Sequence, residues 1–209
     1  TQALPAWVSG LAFFAIALTS MIAPPLTLLS GFWSNAAALV FGGLLLGTAA
    51  ERSGLGRFVA RGLVERFVTS YPMFLLGILI GAGALSFLVP ATMGRLALTI
   101  PIVAATAKAA GYEPGSNGFL GAMATTVAGN FLTSFGILPA NLVNVIAIGA
   151  MEALHGPMVR YGEFLLYCMP VLGLAKGALF WAMVVAICPA PPPKRPEAGD
   201  AAGLTPAGR

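Results

Sequence analysis

The chain has 209 residues, of which 58% are hydrophobic and 9% charged, with a mean hydropathy of +0.89. An ordinary soluble domain carries roughly 25% charged residues, so this composition excludes one and points to an integral membrane chain. The net charge of +4 comes from basic residues clustered in short connecting segments, a pattern of membrane orientation, and no nucleic-acid partner is expected.

At about 20 apolar residues per crossing, residues 1–188 have room for about five to seven membrane segments in one domain. Residues 5–22 read as a first membrane helix, stopped by Pro24-Pro25. Trp7 and Trp33 sit where interfacial aromatics belong. Residues 34–50 read as a second helix whose Gly43 and Gly47 have the spacing that lets another helix come close; a lipid-packed helix with incidental glycines is the competing reading. Residues 51–69 carry Arg52, Arg57, Arg61 and Arg66. Leu55, Phe58, Val59, Gly62 and Leu63 recur there at helical spacing, which predicts a helix lying in the cytoplasmic interface, with a plain loop as the alternative.

The next stretch organises the rest. It is apolar from Pro72 to Leu88, breaks at Val89-Pro90-Ala91-Thr92-Met93-Gly94-Arg95, and is apolar again from Leu96 to Ala107. Backbone at membrane depth needs internal hydrogen-bond partners and a charge there is expensive. The pattern predicts a re-entrant hairpin over 72–110. A polar break with Gly111, Pro114 and Gly115 follows. Residues 119–150 predict a transmembrane helix broken at Gly136-Ile-Leu-Pro139-Ala140-Asn141, where Pro139 removes a donor and Thr133, Ser134, Asn141 and Asn144 surround the break. Glu152 to Glu163 reads as a short external loop containing the one histidine, His155. Residues 164–188 predict a final crossing with Gly173, Gly177 and a lone Lys176. Residues 189–209 read as a disordered cytoplasmic tail. The fold class is thus an all-α integral membrane bundle with one re-entrant hairpin and one broken helix.

Orientation follows from charge. Arg52, Arg57, Arg61, Arg66, Lys108, Lys194, Arg195 and Arg209 fall on one side and Arg160 alone on the other, which places the N-terminus and tail in the cytoplasm of a bacterial inner or plasma membrane. Cys168 and Cys188 share the last helix about 30 Å apart and cannot bridge each other. Thr1 begins without Met or a basic leader, which fits a fragment or a processed product.

No nucleophile, base and orienter set is present, no metal ligands pair across the apolar segments, and glycine-rich phosphate motifs are missing, so neither an enzyme nor a bound cofactor is expected. Two broken segments with small polar residues at membrane depth point to a midplane site in a secondary transporter. Its residues would be the backbone of Ala91 and Met93 with Thr92 and Arg95 at the first break. Thr133, Ser134, Pro139, Asn141 and Asn144 would serve at the second. A buried Arg95 requires something anionic to offset it, either a substrate or facing carbonyls; helix capping or snorkelling from a shallow tip is the alternative. For Lys176, a stem reaching along the helix toward an interface competes with a functional role.

The succession Leu44-Leu-Leu-Gly-Thr-Ala-Ala-Glu-Arg-Ser-Gly-Leu-Gly-Arg-Phe, Ser86-Phe-Leu-Val-Pro-Ala-Thr-Met-Gly-Arg-Leu-Ala-Leu-Thr-Ile-Pro-Ile and Leu138-Pro-Ala-Asn-Leu-Val resembles the N-terminal repeat of the divalent anion:sodium symporter family, within the ion transporter superfamily. The resemblance spans about residues 34–188. It implies a tip and a second break that bind sodium and carboxylate, with sodium near Thr92 and Asn141. Where the family has Ser-Asn-Thr this chain has Ala91-Thr92-Met93, losing an amide and one hydroxyl, while Pro90 and Arg95 match a common variant. Pro139 and Asn141 match a Pro-Pro-Asn segment, with Ala140 in place of the second proline.

Such transporters are similar to inverted repeats of two halves, and this chain has one hairpin. The expectation is a half-transporter moving a small anion, a carboxylate, sulfate or similar oxyanion, by alternating access with sodium or protons. Its partner would be a second half in the same polypeptide, a separately encoded one, or another copy. The charge bias opposes an antiparallel homodimer. Two other readings stay open: a non-transporting membrane scaffold or assembly subunit, and the large membrane subunit of a binding-protein-dependent anion transporter, faintly suggested by Gly111-Tyr112-Glu113-Pro114.

Overall fold

The computed structural model describes residues 5–154, 156 and 159–193. His155 and the tail from 194 to 209 lie outside the described residues. Ten α-helices follow one another, with no strand among the described residues: α1 Ala6–Thr19, α2 Pro25–Leu28, α3 Asn35–Arg52, α4 Leu55–Arg66, α5 Tyr71–Leu88, α6 Thr92–Ala109, α7 Asn117–Ser134, α8 Leu142–Ala153, α9 Tyr161–Cys168 and α10 Lys176–Ile187. Short 3-10 turns occupy Ser30–Trp33 and Leu138–Ala140, and one π-helical stretch, Met169–Ala175, joins α9 to α10 into a single rod.

The packing is centred on α5. It is buried through Phe74, Leu75, Ile78, Ala82 and Leu85, and it packs against α4, α7 and α10. α7 runs along both α5 and α6, as does α4. The largest apolar cluster lies at the end where the 110–116 connection folds in: Tyr71, Phe74, Leu75, Ile78, Val103, Ala107, Tyr112, Ala122 and Val184. Tyr112 stacks on Phe74 with centroids 6.2 Å apart and donates its hydroxyl to Pro191 O at 2.9 Å. Trp181 Nε1 donates to Pro72 O at 2.8 Å, tying α10 to the start of α5.

Helix ends are set by local chemistry. Ser70 and Ser116 accept from the amides of Met73 and Phe119, which caps α5 and α7. Hydroxyls inside the bundle are satisfied by bonding back one turn, Ser86 to Ala82 O, Thr126 to Ala122 O and Thr133 to Gly129 O. That arrangement lets polar residues sit in apolar helices without external partners.

Several boundaries differ from those read from sequence, each for an identifiable reason. The first helix stops at Thr19, before the proline pair, because Met21 takes a left-handed φ of 47° and the Thr19 hydroxyl donates to Ala15 O. Pro25, placed at the start of a helix rather than inside one, opens α2. The second helix runs on to Arg52, and Gly54 at φ 73° supplies the turn before α4. The packed face of α4 is Gly56 and Ala60 rather than the stripe through Phe58 and Gly62, and Phe58 is left 78% exposed. Glu163 belongs to a helix, not a loop: its carboxylate accepts the Arg160 amide at 3.2 Å, so the last rod begins at Tyr161.

Gly43 and Gly47 of α3 admit something other than the helix expected from their spacing. A Cβ at Gly47 would meet Pro90 Cδ at 2.8 Å, and one at Gly43 would lie 3.5 Å from Pro90 and 3.9 Å from Pro139. The glycines are the floor on which both chain breaks rest. Gly47→Ala is therefore expected to destabilise the fold by about 1–3 kcal/mol, the usual range for overpacking. Gly42→Ala, with nothing within 4 Å of its Cβ, is expected to be neutral or slightly stabilising. Thermal melts of the two variants side by side check this, and equal melting temperatures would remove the contact's importance.

Candidate functional site

Two interruptions of the helical backbone meet in space. The first, Val89-Pro90-Ala91, lies between α5 and α6; the second, from Phe135 to Asn141, lies between α7 and α8. Pro90 and Pro139 cannot donate, and the residues preceding them are extended or turn-like, which ends α5 and starts the second break. Thr92 Oγ1 donates to Ala140 O across the junction at 3.5 Å. At each break a helix C-terminus therefore lies beside a helix N-terminus, whose end carbonyls and amides have no partner within their own helix.

Arg95 holds the two together. Its side chain is 0% exposed. Nη1 donates to Val89 O at 2.6 Å and to Ala140 O at 3.4 Å, while Nη2 donates to Asn130 O at 3.0 Å and to Thr92 Oγ1 at 3.1 Å. No carboxylate takes part, and among the described residues the one ion pair is Arg61 with Glu65 on the surface of α4. Of the two ways to offset a buried charge, the structure uses facing carbonyls. A charge at the membrane centre costs about 2.5–3.5 kcal/mol on insertion scales, and each hydrogen bond involving a charged group contributes about 1.5–3 kcal/mol, so the two shortest already balance it. Complete burial excludes snorkelling, and the bond to Val89 O does cap the end of α5.

The second break is held by its asparagines. Asn144 Nδ2 reaches the carbonyls of Ser134, Phe135 and Ile137 at 3.4, 3.2 and 3.2 Å. Asn141 caps α8, its Oδ1 accepting from the Val143 amide at 3.0 Å and its Nδ2 donating to Ser134 Oγ at 3.4 Å. Thr133 lies deeper, sharing a 3.3 Å hydrogen bond with Ser86 Oγ. Pro139 is half-buried against α3, whereas Ala91 and Met93 are exposed, Met93 at 71%. The nine residues singled out from sequence thus separate into a buried set, Arg95, Thr133, Ser134, Asn141 and Asn144, and a rim, Ala91, Thr92, Met93 and Pro139.

Four further polar residues belong here. Asn130 Nδ2 donates to Thr99 Oγ1 at 3.1 Å and to Thr126 O at 2.8 Å. Asn130 Oδ1, Thr125 Oγ1 and Arg95 Nε are buried without a partner among the described residues. The available signal was the succession Thr126, Asn130, Thr133 and Ser134, a polar stripe at one-turn spacing inside an apolar helix. Lys176, at the start of α10, stands with its ammonium 4.8 Å from the centroid of the Phe135 ring. Phe135 follows the end of α7, so Lys176 lies beside the second break. No cluster of metal-ligating side chains occurs among the described residues.

Comparison with known proteins identifies a family. Residues 1–203 match the family described as the sodium:sulfate symporter transmembrane region. A protein of Cupriavidus necator described as a membrane protein is 29% identical over 162 residues, covering 78% of this chain and 31% of that relative. The chain thus spans about a third of the length of this curated relative. No solved structure matches. The family is one of transporters rather than enzymes, and it accounts for the apolar helices Tyr71–Leu88 and Tyr161–Ile187, each long enough to cross a membrane. The chain belongs to the sodium:sulfate symporter transmembrane family.

Proposed function

We propose that the chain is one half of a secondary transporter that moves a small oxyanion, sulfate or a carboxylate, by alternating access. In this reading α5 and α6 form a re-entrant hairpin entered from the cytoplasm, and α7 and α8 are one broken transmembrane helix. The observation that carries it is the junction of the breaks. The amide ends of α6 and α8 begin at adjacent points of one site, bridged by Thr92 Oγ1 and Ala140 O at 3.5 Å. Two helix N-termini side by side are a favourable seat for an anion. The exposed rim of Ala91, Met93, Leu142 and Val143 leaves that seat open on one side.

A site open on one side needs a second wall. The matching relative has room for it, since this chain corresponds to 31% of its length. The second wall is an inverted repeat carrying its own hairpin, in the same polypeptide, in a partner subunit or in another copy. The excess of basic residues in 51–69 and 108–118 over the single Arg160 opposite favours a fixed orientation with the N-terminus inside. An antiparallel pair of identical chains is disfavoured by the same bias.

The hairpin predicts that both ends of the α5–α6 unit face the same side. With Cys168 and Cys188 replaced by Ser, single cysteines at Thr69 and Glu113, both exposed, are expected to react with an impermeant maleimide only from the cytoplasmic face. Labelling from opposite faces would make α5 and α6 a through-going pair and end the re-entrant reading.

Transport itself is tested in proteoliposomes holding the chain with its complementary half. Uptake of radiolabelled sulfate or succinate is expected to saturate, and Asn144→Ala, which leaves three carbonyls without their donor at a cost of about 1–3 kcal/mol, is expected to remove most of it. Absence of flux for every oxyanion and carboxylate tried would sink the proposal.

A further inference from the structure

We infer that the guanidinium of Arg95 occupies the cation seat of this half-site, so that no sodium ion binds at the hairpin tip of this chain. The inference rests on the transporter reading for its consequence in flux, but not for the occupancy itself.

Three backbone carbonyls and one hydroxyl converge on a single buried positive charge. Val89 O follows the end of α5, Asn130 O lies in the last turns of α7, and Ala140 O closes the 3-10 turn before α8, at 2.6, 3.0 and 3.4 Å from the guanidinium nitrogens. Thr92 Oγ1 completes the set at 3.1 Å. Carbonyl-bearing ends of interrupted helices are the groups that coordinate a hard monovalent cation in secondary transporters, because the negative ends of the peptide dipoles point at it. Here two such groups, Val89 O and Ala140 O, together with Asn130 O from within α7, point at a cation that belongs to the chain.

The oxygens that sequence offered to sodium are engaged in the same way. Thr92 Oγ1 accepts from Arg95 and faces Ala140 O, and Asn141 Oδ1 accepts the Val143 amide as the cap of α8. A sodium ion at this junction would have to displace a hydrogen bond of the guanidinium and sit beside a like charge in surroundings that screen poorly. The family's sodium therefore does not fit the residues present at this tip. The loss of an amide and, on balance, one hydroxyl across Ala91-Thr92-Met93 fits the same arrangement, since a seat filled by Arg95 has no use for extra oxygen ligands. A charge fixed to the chain is not released to either side, so this half contributes no energy from a sodium gradient to anion movement.

The test is the melting temperature of the purified 209-residue chain in detergent, compared in sodium chloride and choline chloride at equal ionic strength. A ligand present at 100 times its dissociation constant raises the melting point of a domain this size by roughly 5–10 °C. The wild type is expected to melt at the same temperature in both salts. Arg95→Ala is expected to melt lower in choline chloride and to regain at least half of the loss on adding millimolar guanidinium or replacing choline with sodium. Stabilisation of the wild type by sodium over choline overturns the inference, as does a folded Arg95→Ala that responds to neither cation. Should Arg95→Ala not fold, Arg95→Lys serves instead: it keeps the fixed charge and is expected to be indifferent to sodium, and a sodium-dependent melt for it counts against the inference. Anion uptake by wild-type proteoliposomes separates the two ideas, because sodium-stabilised protein that still carries sulfate or succinate removes the cation seat and leaves the transporter reading standing.

Discussion

Everything at the centre of this structure depends on one buried charge meeting carbonyls instead of carboxylates. Arg95 has no acidic neighbour to pair with, and its burial is complete. What makes that tolerable is the supply of unpaired carbonyls where helices stop short. Val89, Asn130 and Ala140 come from three different elements, so satisfying the guanidinium draws the end of α5, the end of α7 and the turn before α8 to one point. The charge and the breaks support each other: Val89 and Ala140 offer their carbonyls because the helices stop there, and without Arg95 both would lose a charged donor.

The surrounding residues follow from that constraint. Irregular backbone is bulkier in shape than a helix and needs a flat surface to lie on, which Gly43 and Gly47 supply to Pro90 and Pro139. The 3-10 turn has carbonyls of its own to satisfy, and Asn144 covers three from one side-chain amide. α7 must pass close to both α5 and α6, and Gly129 admits Leu79 and Ala82 while the hydroxyls of Thr126 and Thr133 turn back into the helix. Small side chains and inward-bonded hydroxyls are thus the means by which three helices reach the distance at which their broken ends can share one guanidinium.

How much of this could be read in advance depended on whether the determining group was a side chain. Pro90 and Pro139 announce interruptions because each lacks a donor and stands among small polar residues, whereas Pro101 in an apolar run sits inside α6 without breaking it, and Arg95 announces a problem because a charge in an apolar stretch demands an answer. That carbonyls could answer it was legible, but not which ones, since two of its partners are main-chain oxygens 35 and 45 residues away and every residue carries one. Asn130 and Thr99 escaped notice for a related reason: the attention they merit comes from a one-turn polar period within α7 and from a helix that faces it only after folding. The membership of the chain in a transporter family was legible because it rests on an ordered series of motifs rather than on any one of them. The left-handed Met21, which ends α1 early, and the outward Phe58 of α4 were not legible from local pattern.

A helix break has two poles, and the chain treats them differently. The negative poles, the carbonyl ends, are covered from within, by Arg95 at Val89 and Ala140 and by Asn144 at Ser134, Phe135 and Ile137. The positive poles, the amide ends of α6 and α8, remain at the rim, where Ala91 and Met93 are exposed. Under the inferred cation seat, the rim is left with the amide end of α6 as its foremost anion-favouring group, since the Val143 amide of α8 is capped by Asn141 Oδ1. The guanidinium adds to this, because its charge lies behind those amides and is hydrogen-bonded rather than neutralised by a carboxylate. An anion at the rim would meet the aligned ends of two helices with a whole positive charge a helical turn behind them. The specificity left to the side chains of this half is then small, Thr92 being the one hydroxyl at the rim of the first break.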